Sequence, residues 1–157
     1  MIRVGDNIPS ANIAVAKSDE QVKTTSTDLF TGKKVVLFAL PGAFTPTCSK
    51  SHLPGYVTLY DEFIKKGVDI VACLSVNDAF VMQAWARDQN AENITMIADG
   101  GAALTNALGL QMDTADFGGV RSKRYAMIID DGKVTALNVE AAGEFEASKA
   151  ETVLESF

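Results

Sequence analysis

The residues best placed to do chemistry lie in one short stretch, Leu40 to Lys50, which reads L-P-G-A-F-T-P-T-C-S-K. It carries Cys48, one of two cysteines in the chain. A cysteine is a nucleophile only as its thiolate, so the question is what would hold that negative charge. Pro41 and Gly42 are suited to ending a strand, because Pro donates nothing to a ladder and Gly permits a tight turn. Thr45 followed by Pro46 reads as an N-cap followed by Pro at the first helical position, where its missing N–H costs nothing. Counting onward puts Cys48 at the third helical position, where unpaired N–H groups and the helix dipole favour an anion. Such sites lower a cysteine pKa from about 8.5 to roughly 3.5–7.5, depending on neighbouring cations. Together these features point to a reactive thiolate rather than an inert buried cysteine that happens to begin a helix. His52 follows on the same helix face. A Cys/His pair would suggest a hydrolase nucleophile with its base. Yet a pair on consecutive turns supplies neither an oxyanion hole nor the third orienting residue of an acyl-transfer site.

The elements around this stretch follow from hydrophobic patterning. Val35–Leu40 is a continuous apolar run after the turn signal Thr31-Gly32-Lys33-Lys34, as a doubly covered central strand requires. Val68–Val76, Ile94–Ala98 and Tyr125–Ile129 are further runs of this kind. The last turns through Asp130-Asp131-Gly132 into Lys133–Val139, a hairpin signature. Between them the spacing predicts a helix over 47–66, with Leu53, Tyr56, Val57, Tyr60, Phe63 and Ile64 as its apolar stripe. Further helices are expected over 80–89, capped by Asn77 or Asp78, over 102–108 with Gly109 as C-cap, and over 148–157. Strands alternating with helices imply an α/β three-layer sandwich, and the hairpin makes its sheet mixed. The pattern is thioredoxin-like, though other small α/β folds share it. Residues 1–157 read as a single domain.

Composition narrows the function. The chain has 157 residues, 47% of them hydrophobic, and a net charge of −6. An acidic balance argues against non-specific nucleic-acid or anionic-membrane binding. No run of about 18 apolar residues is present to span a bilayer, and residues 1–9 lack the apolar core of a signal peptide. Two cysteines are too few for a disulfide scaffold, so a reducing cytoplasm is the expected setting. One histidine and two cysteines leave little for a metal site. Neither G-x-G-x-x-G nor G-x-x-x-x-G-K-[ST] occurs, and no cofactor is expected.

At this point the residues resemble a family. P-G-A-F-T-P-T-C fits P-x-x-x-T-x-x-C, the peroxidatic-cysteine motif of peroxiredoxins, with Pro41, Thr45 and Cys48 at the fixed positions. Its continuation through Lys50, Ser51, His52, Leu53, Pro54, Gly55 and Tyr56 is similar to the type II, peroxiredoxin-five-like branch. So are Cys73–Val81, Ala98-Asp99-Gly100, R-S-K-R-Y at Arg121–Tyr125, and Ala136–Glu140. The resemblance implies a thiol-dependent peroxidase with a thioredoxin-like fold, reducing hydrogen peroxide and alkyl hydroperoxides in antioxidant defence. Cys48 would be the nucleophile, expelling water or an alcohol as the O–O bond breaks and remaining as a sulfenic acid. Thr45 would place its hydroxyl on the thiolate and the peroxide, and Pro41 would shield the pocket from water. Arg124, just before an aromatic residue at a strand start, would reach the sulfur, with Arg121 the second choice. A guanidinium suits that task, because its fork can bridge sulfur and oxygen and it stays charged. His52 would stand around the pocket. Phe44 and Trp85 would wall it or pack into the core.

The oxidised cysteine must then be reset by another thiol. Some members of this branch carry a resolving cysteine in the loop before the last helix, but here that place falls near Ala147 in G-E-F-E-A-S-K. Cys73 lies within V-D-I-V-A-C-L-S-V, where an inert strand residue is expected more readily than a resolving thiol. An external thiol is therefore the expected reductant, glutathione with glutaredoxin first and thioredoxin second. A thiol-disulfide oxidoreductase of the same fold would want C-x-x-C, whereas Cys48 precedes Ser49-Lys50-Ser51. By resemblance the protein is also expected to form a homodimer.

Overall fold

The apolar runs form the centre of the sheet. A computed structural model describes residues 1–157. The chain runs β1 (Asn12–Ala16), β2 (Gln21–Thr25), α1 (Ser26–Phe30), β3 (Lys34–Ala39), a π-helical turn (Cys48–His52), α2 (Leu53–Thr58) and α3 (Tyr60–Lys65). It continues through β4 (Ile70–Ser75), α4 (Ala79–Asp88), β5 (Thr95–Ala98), α5 (Ala103–Leu108), β6 (Gln111–Asp113) and β7 (Val120–Ser122). The hairpin β8 (Tyr125–Asp130) and β9 (Lys133–Val139) and helix α6 (Ala150–Leu154) complete it. Seven strands make one sheet in the order β2-β1-β5-β4-β3-β8-β9. The β3/β4 and β4/β5 pairs are parallel, and β1/β5, β3/β8 and β8/β9 are antiparallel. The sheet is therefore mixed, as expected.

Alternation along the central strands divides the core between the two faces. Val36 and Phe38 of β3 and Val71 and Cys73 of β4 face a cluster with Cys48, Tyr56, Phe63, Met82, Trp85 and Val153. Val35, Leu37, Ala72 and Leu74 face the other cluster, with Phe30, Leu104 and Leu108. Both faces are covered, so these strands carry no polar alternation. At the β8–β9 turn Asp131 and Gly132 both have positive φ (50° and 80°), as a tight hairpin demands. Gly109 caps α5 in the left-handed region at φ 70°.

Three features depart from expectation. The helix over 47–66 is not continuous: helical backbone starts at Pro46, widens into the π turn at Cys48–His52, and breaks at Leu59 between α2 and α3. Pro54 accounts for the widening. It lacks an N–H and its ring crowds the carbonyl four residues back, and the turn instead closes with Leu53 N–H donating to the Cys48 carbonyl. The terminal helix is shorter than 148–157, spanning Ala150–Leu154. The β1–β2 hairpin, α1 and the small β6–β7 ribbon were not signalled by pattern. β2 is a polar edge strand with no fully buried residue, so it lacks the apolar run that marks the centre.

Candidate active site

Sheet register assembles the site. Ala39, the last residue of β3, pairs with Tyr125, the first of β8, and Tyr125 pairs in turn with Val139 at the end of β9. The loop that leads from β3 to Cys48, the residue before β8 (Arg124) and the residue after β9 (Glu140) are thus brought to one edge. The Glu140 N–H donates to the Arg124 carbonyl at 3.0 Å, extending the ladder by one step.

Cys48 is fully buried at the start of the π turn. Arg124 Nη2–H donates to its sulfur at 3.2 Å, and Nη1–H donates to His52 Nδ1 at 2.8 Å. Arginine has no acceptor, so Nδ1 must present its lone pair. The imidazole proton therefore sits on Nε2, which donates to the Ser148 carbonyl at 3.1 Å. The Tyr56 hydroxyl donates to the same carbonyl at 2.6 Å. His52 is a neutral, single-tautomer acceptor. Burial above all, then the Arg124 charge, push its pKa down to about 3, against smaller opposing pulls from Ser148 and Glu140. This arrangement leaves His52 no free nitrogen to serve as a base for Cys48, which disposes of the hydrolase pairing.

Thr45 occupies the N-cap position in the backbone sense, with its carbonyl accepting from Ser49 N–H at 2.9 Å. Its hydroxyl does not cap the helix, however. It donates to the Gly42 carbonyl at 2.7 Å, leaving its lone pairs free to accept. The strand-end loop is fixed by Asn77, whose Oδ1 accepts from Ala43 N–H at 3.0 Å. Phe44 follows at φ 65°, in a region costly for a bulky residue. It is half exposed and tilts against Trp85 at 6.5 Å. Trp85 Nε1–H reaches Ser49 Oγ at 3.0 Å, so the ring is buried packing with a polar tip on the residue after Cys48.

A cleft of about 590 Å³ opens over this site, lined by Pro41, Thr47, Met112, Lys123, Arg124 and the loop from Glu140 to Phe145. That volume suits a small organic ligand. Phe145 sits edge-on to His52 at 5.1 Å and under the Arg124 guanidinium at 5.8 Å.

Arg121 stands elsewhere. Its Nε–H donates to the Gly118 carbonyl and its Nη1–H to the Val76 carbonyl, at 3.1 and 3.0 Å. It ties loops together and has no bond to the sulfur. Cys73 is fully buried in β4 beside Phe38, and both cysteines are free thiols. Burial pushes the Cys73 pKa well above its ordinary value, the neighbouring Cys48 adds to this, and Arg124 opposes it. No group of three His, Cys, Asp or Glu side chains is gathered to hold a metal, and no helix is long and apolar enough to cross a membrane. Glu140, Phe145 and Ser148 were not singled out as site residues from sequence. Glu140 ends the family-like stretch Ala136–Glu140 without a role signalled for its carboxylate, and Phe145 and Ser148 act through a ring contact and a backbone carbonyl in the loop that follows.

The comparisons agree with this geometry. The redoxin family model matches residues 3–154. Peroxiredoxin-2B of Arabidopsis thaliana is 46% identical over 158 residues, covering 99% of this chain and 98% of that protein. The hybrid peroxiredoxin hyPrx5 of Haemophilus influenzae is 42% identical, covering 96% of this chain and 64% of that protein. Reduced Prx3 of Vibrio vulnificus, solved in complex with hydrogen peroxide, is 59% identical with a TM-score of 0.95, covering 99% of this chain and 96% of that one. The chain belongs to the redoxin family, and within it to the peroxiredoxins. It is a thiol-dependent peroxidase with a thioredoxin-like fold, and the type II, peroxiredoxin-five-like resemblance holds.

Proposed function

We propose that Cys48 is the peroxidatic nucleophile and that Arg124 holds it for reaction. The observation that carries this reading is the 3.2 Å hydrogen bond from Arg124 Nη2 to the Cys48 sulfur. The thiolate attacks the terminal peroxide oxygen, the S–O bond forms as the O–O bond breaks, and the departing hydroxide or alkoxide takes a proton from solvent. The sulfur is left as sulfenic acid and the peroxide is reduced to water or an alcohol. Charge spreads over sulfur and two oxygens in that transition state, where fixed donors do most good. Arg124 supplies one, and the N–H groups of the first helical turn supply others. The free lone pairs of Thr45 Oγ1 suit it to accept from the peroxide O–H, with Pro41 covering the cleft side.

An external thiol then attacks the sulfenic sulfur, releasing water and leaving a mixed disulfide. A second thiol displaces it to regenerate Cys48. Glutathione with glutaredoxin is the favoured reductant and thioredoxin the second. Three observations support an external thiol of either kind: Ala147 in the loop before α6 carries no thiol, Cys73 is buried in β4, and the two cysteines are unbonded. Two free thiols also fit a reducing, cytoplasmic setting. Self-association has its own support in Phe44, Phe80 and Phe117, which are 52%, 74% and 73% exposed. Phe44 lies in the loop after β3, Phe80 in the first turn of α4 and Phe117 in a short 3-10 turn. Each is next to a segment that Asn77 and Arg121 tie together, and sedimentation velocity separates a dimer from a monomer that would reject it.

The test is peroxide consumption by the reduced protein with either reductant. The wild type turns over and Cys48→Ser does not; undiminished consumption by Cys48→Ser would reject the assignment.

A further inference from the structure

Glu140 touches no reacting atom, yet its carboxylate collects four donors. Oε2 accepts from Glu146 N–H at 2.8 Å, Ser148 N–H at 2.8 Å and Ser148 Oγ–H at 2.7 Å, and Oε1 accepts from Ala147 N–H at 3.1 Å. Hydrogen bonds to an ionised acceptor are about twice as strong as neutral ones. One carboxylate, placed by the end of β9, therefore sets the turn over 146–148. Asn138, two residues earlier on the strand, adds a bond from Nδ2 to the Ala147 carbonyl at 3.0 Å. The same turn delivers the Ser148 carbonyl, the acceptor for both His52 Nε2–H and the Tyr56 hydroxyl. His52 is the next link: with Nε2 protonated, Nδ1 is left to accept from Arg124, whose other amino group is on the Cys48 sulfur.

We propose that Glu140 is a positioning residue for the peroxide reaction. By gathering the 146–148 turn it sets the Ser148 carbonyl, which keeps the His52 proton on Nε2 and so holds Arg124 against Cys48. A histidine with its proton on Nδ1 would present a donor to a donor and push the guanidinium away. Glu140 thus selects a tautomer two links from the sulfur. The inference rests on the reading that Cys48 is the nucleophile and Arg124 its partner.

The chain contains a single histidine, so its imidazole nitrogens can be read by NMR without assignment of others. In the reduced wild type at neutral pH the imidazole is expected to be neutral with its proton on Nε2. A proton on Nδ1 would overturn the proposal. Glu140→Ala is expected to mix the two tautomers and to slow peroxide oxidation of Cys48 by about tenfold, the loss of one charge-assisted contact at the sulfur. Glu140→Gln keeps the shape and one acceptor oxygen and should fall between, at about threefold; it carries the test if the alanine variant does not fold. Wild-type tautomer and rate in Glu140→Gln and Glu140→Ala would overturn the proposal, as would a slowed rate with an unmoved tautomer. Failure of the underlying reading shows differently, as peroxide consumption that survives Cys48→Ser.

Discussion

The two cysteines share a face of the sheet, a hydrophobic cluster and complete burial. They differ in what their sulfurs meet. Cys73 lies in the middle of β4, where neighbouring strands satisfy the backbone and its environment holds the thiol neutral. Cys48 lies at a helix start that Pro54 has widened into a π turn, and a guanidinium reaches its sulfur. Burial therefore does not separate an inert cysteine from a reactive one. The separation lies in donors aimed at the sulfur, which cost no reorganisation when charge develops. The two arginines repeat the lesson. Arg121 is spent on two carbonyls, whereas Arg124 rests on a neutral histidine that holds it without competing for its charge.

The comparison can be broken at several points. The largest expected effect is Cys48→Ser, which should abolish peroxide turnover in a steady-state assay. Next, Arg124→Gln should slow peroxide oxidation in stopped-flow mixing by about tenfold or more, because a charged hydrogen bond is worth about 1.5–3 kcal/mol. Trp85, the only tryptophan, is bonded to Ser49 and provides the fluorescence signal. An unchanged rate would remove Arg124 from the mechanism.

A third effect is on stability. His52 has its pKa lowered to about 3 in the folded protein, so the unfolded chain binds a proton near pH 6.5 that the folded one refuses. Stability should be full above pH 6.5 and fall as pH drops toward 3, by about 2 kcal/mol between pH 7 and pH 5. Glu140, held below its ordinary 4.5 by the hydrogen bonds from Ser148, Ala147 and Glu146 against the upward push of partial burial, loses its contribution only at lower pH. Urea unfolding of wild type and His52→Asn at the two pH values checks this, and an equal slope in both would refute it. The smallest effect is Cys73→Ser. It should leave peroxide rate and turnover with glutathione and glutaredoxin within about twofold, while costing about 1–3 kcal/mol of stability for a buried hydroxyl. Loss of turnover would make Cys73 the resolving thiol.

What the sequence made legible follows the same division. The central strands are continuous apolar runs, and periodicity alone exposes them. The β2 edge strand and the β6–β7 ribbon carry short polar segments whose pairing is decided by neighbours. The Cys48 stretch and Arg124 carry local signals, a strand end, a Pro at the helix start and a motif. His52 was visible as a neighbour of Cys48, but its contact with Arg124 spans 72 residues of chain and needs the sheet register. Glu140 ended the family-like stretch Ala136–Glu140, but nothing there signalled its role, since its four donors come from the loop that follows. The π turn had one in Pro54, but a proline early in a helix is also compatible with a regular first turn.

The most direct test of the central claim is to ask which sulfur peroxide oxidises. Reduced protein is treated with one equivalent of hydrogen peroxide in the presence of dimedone, which traps sulfenic acids, and its peptides are then mapped by mass. The account predicts the adduct on Cys48 and an unmodified Cys73. An adduct on Cys73, or a Cys48 left untouched, would contradict it.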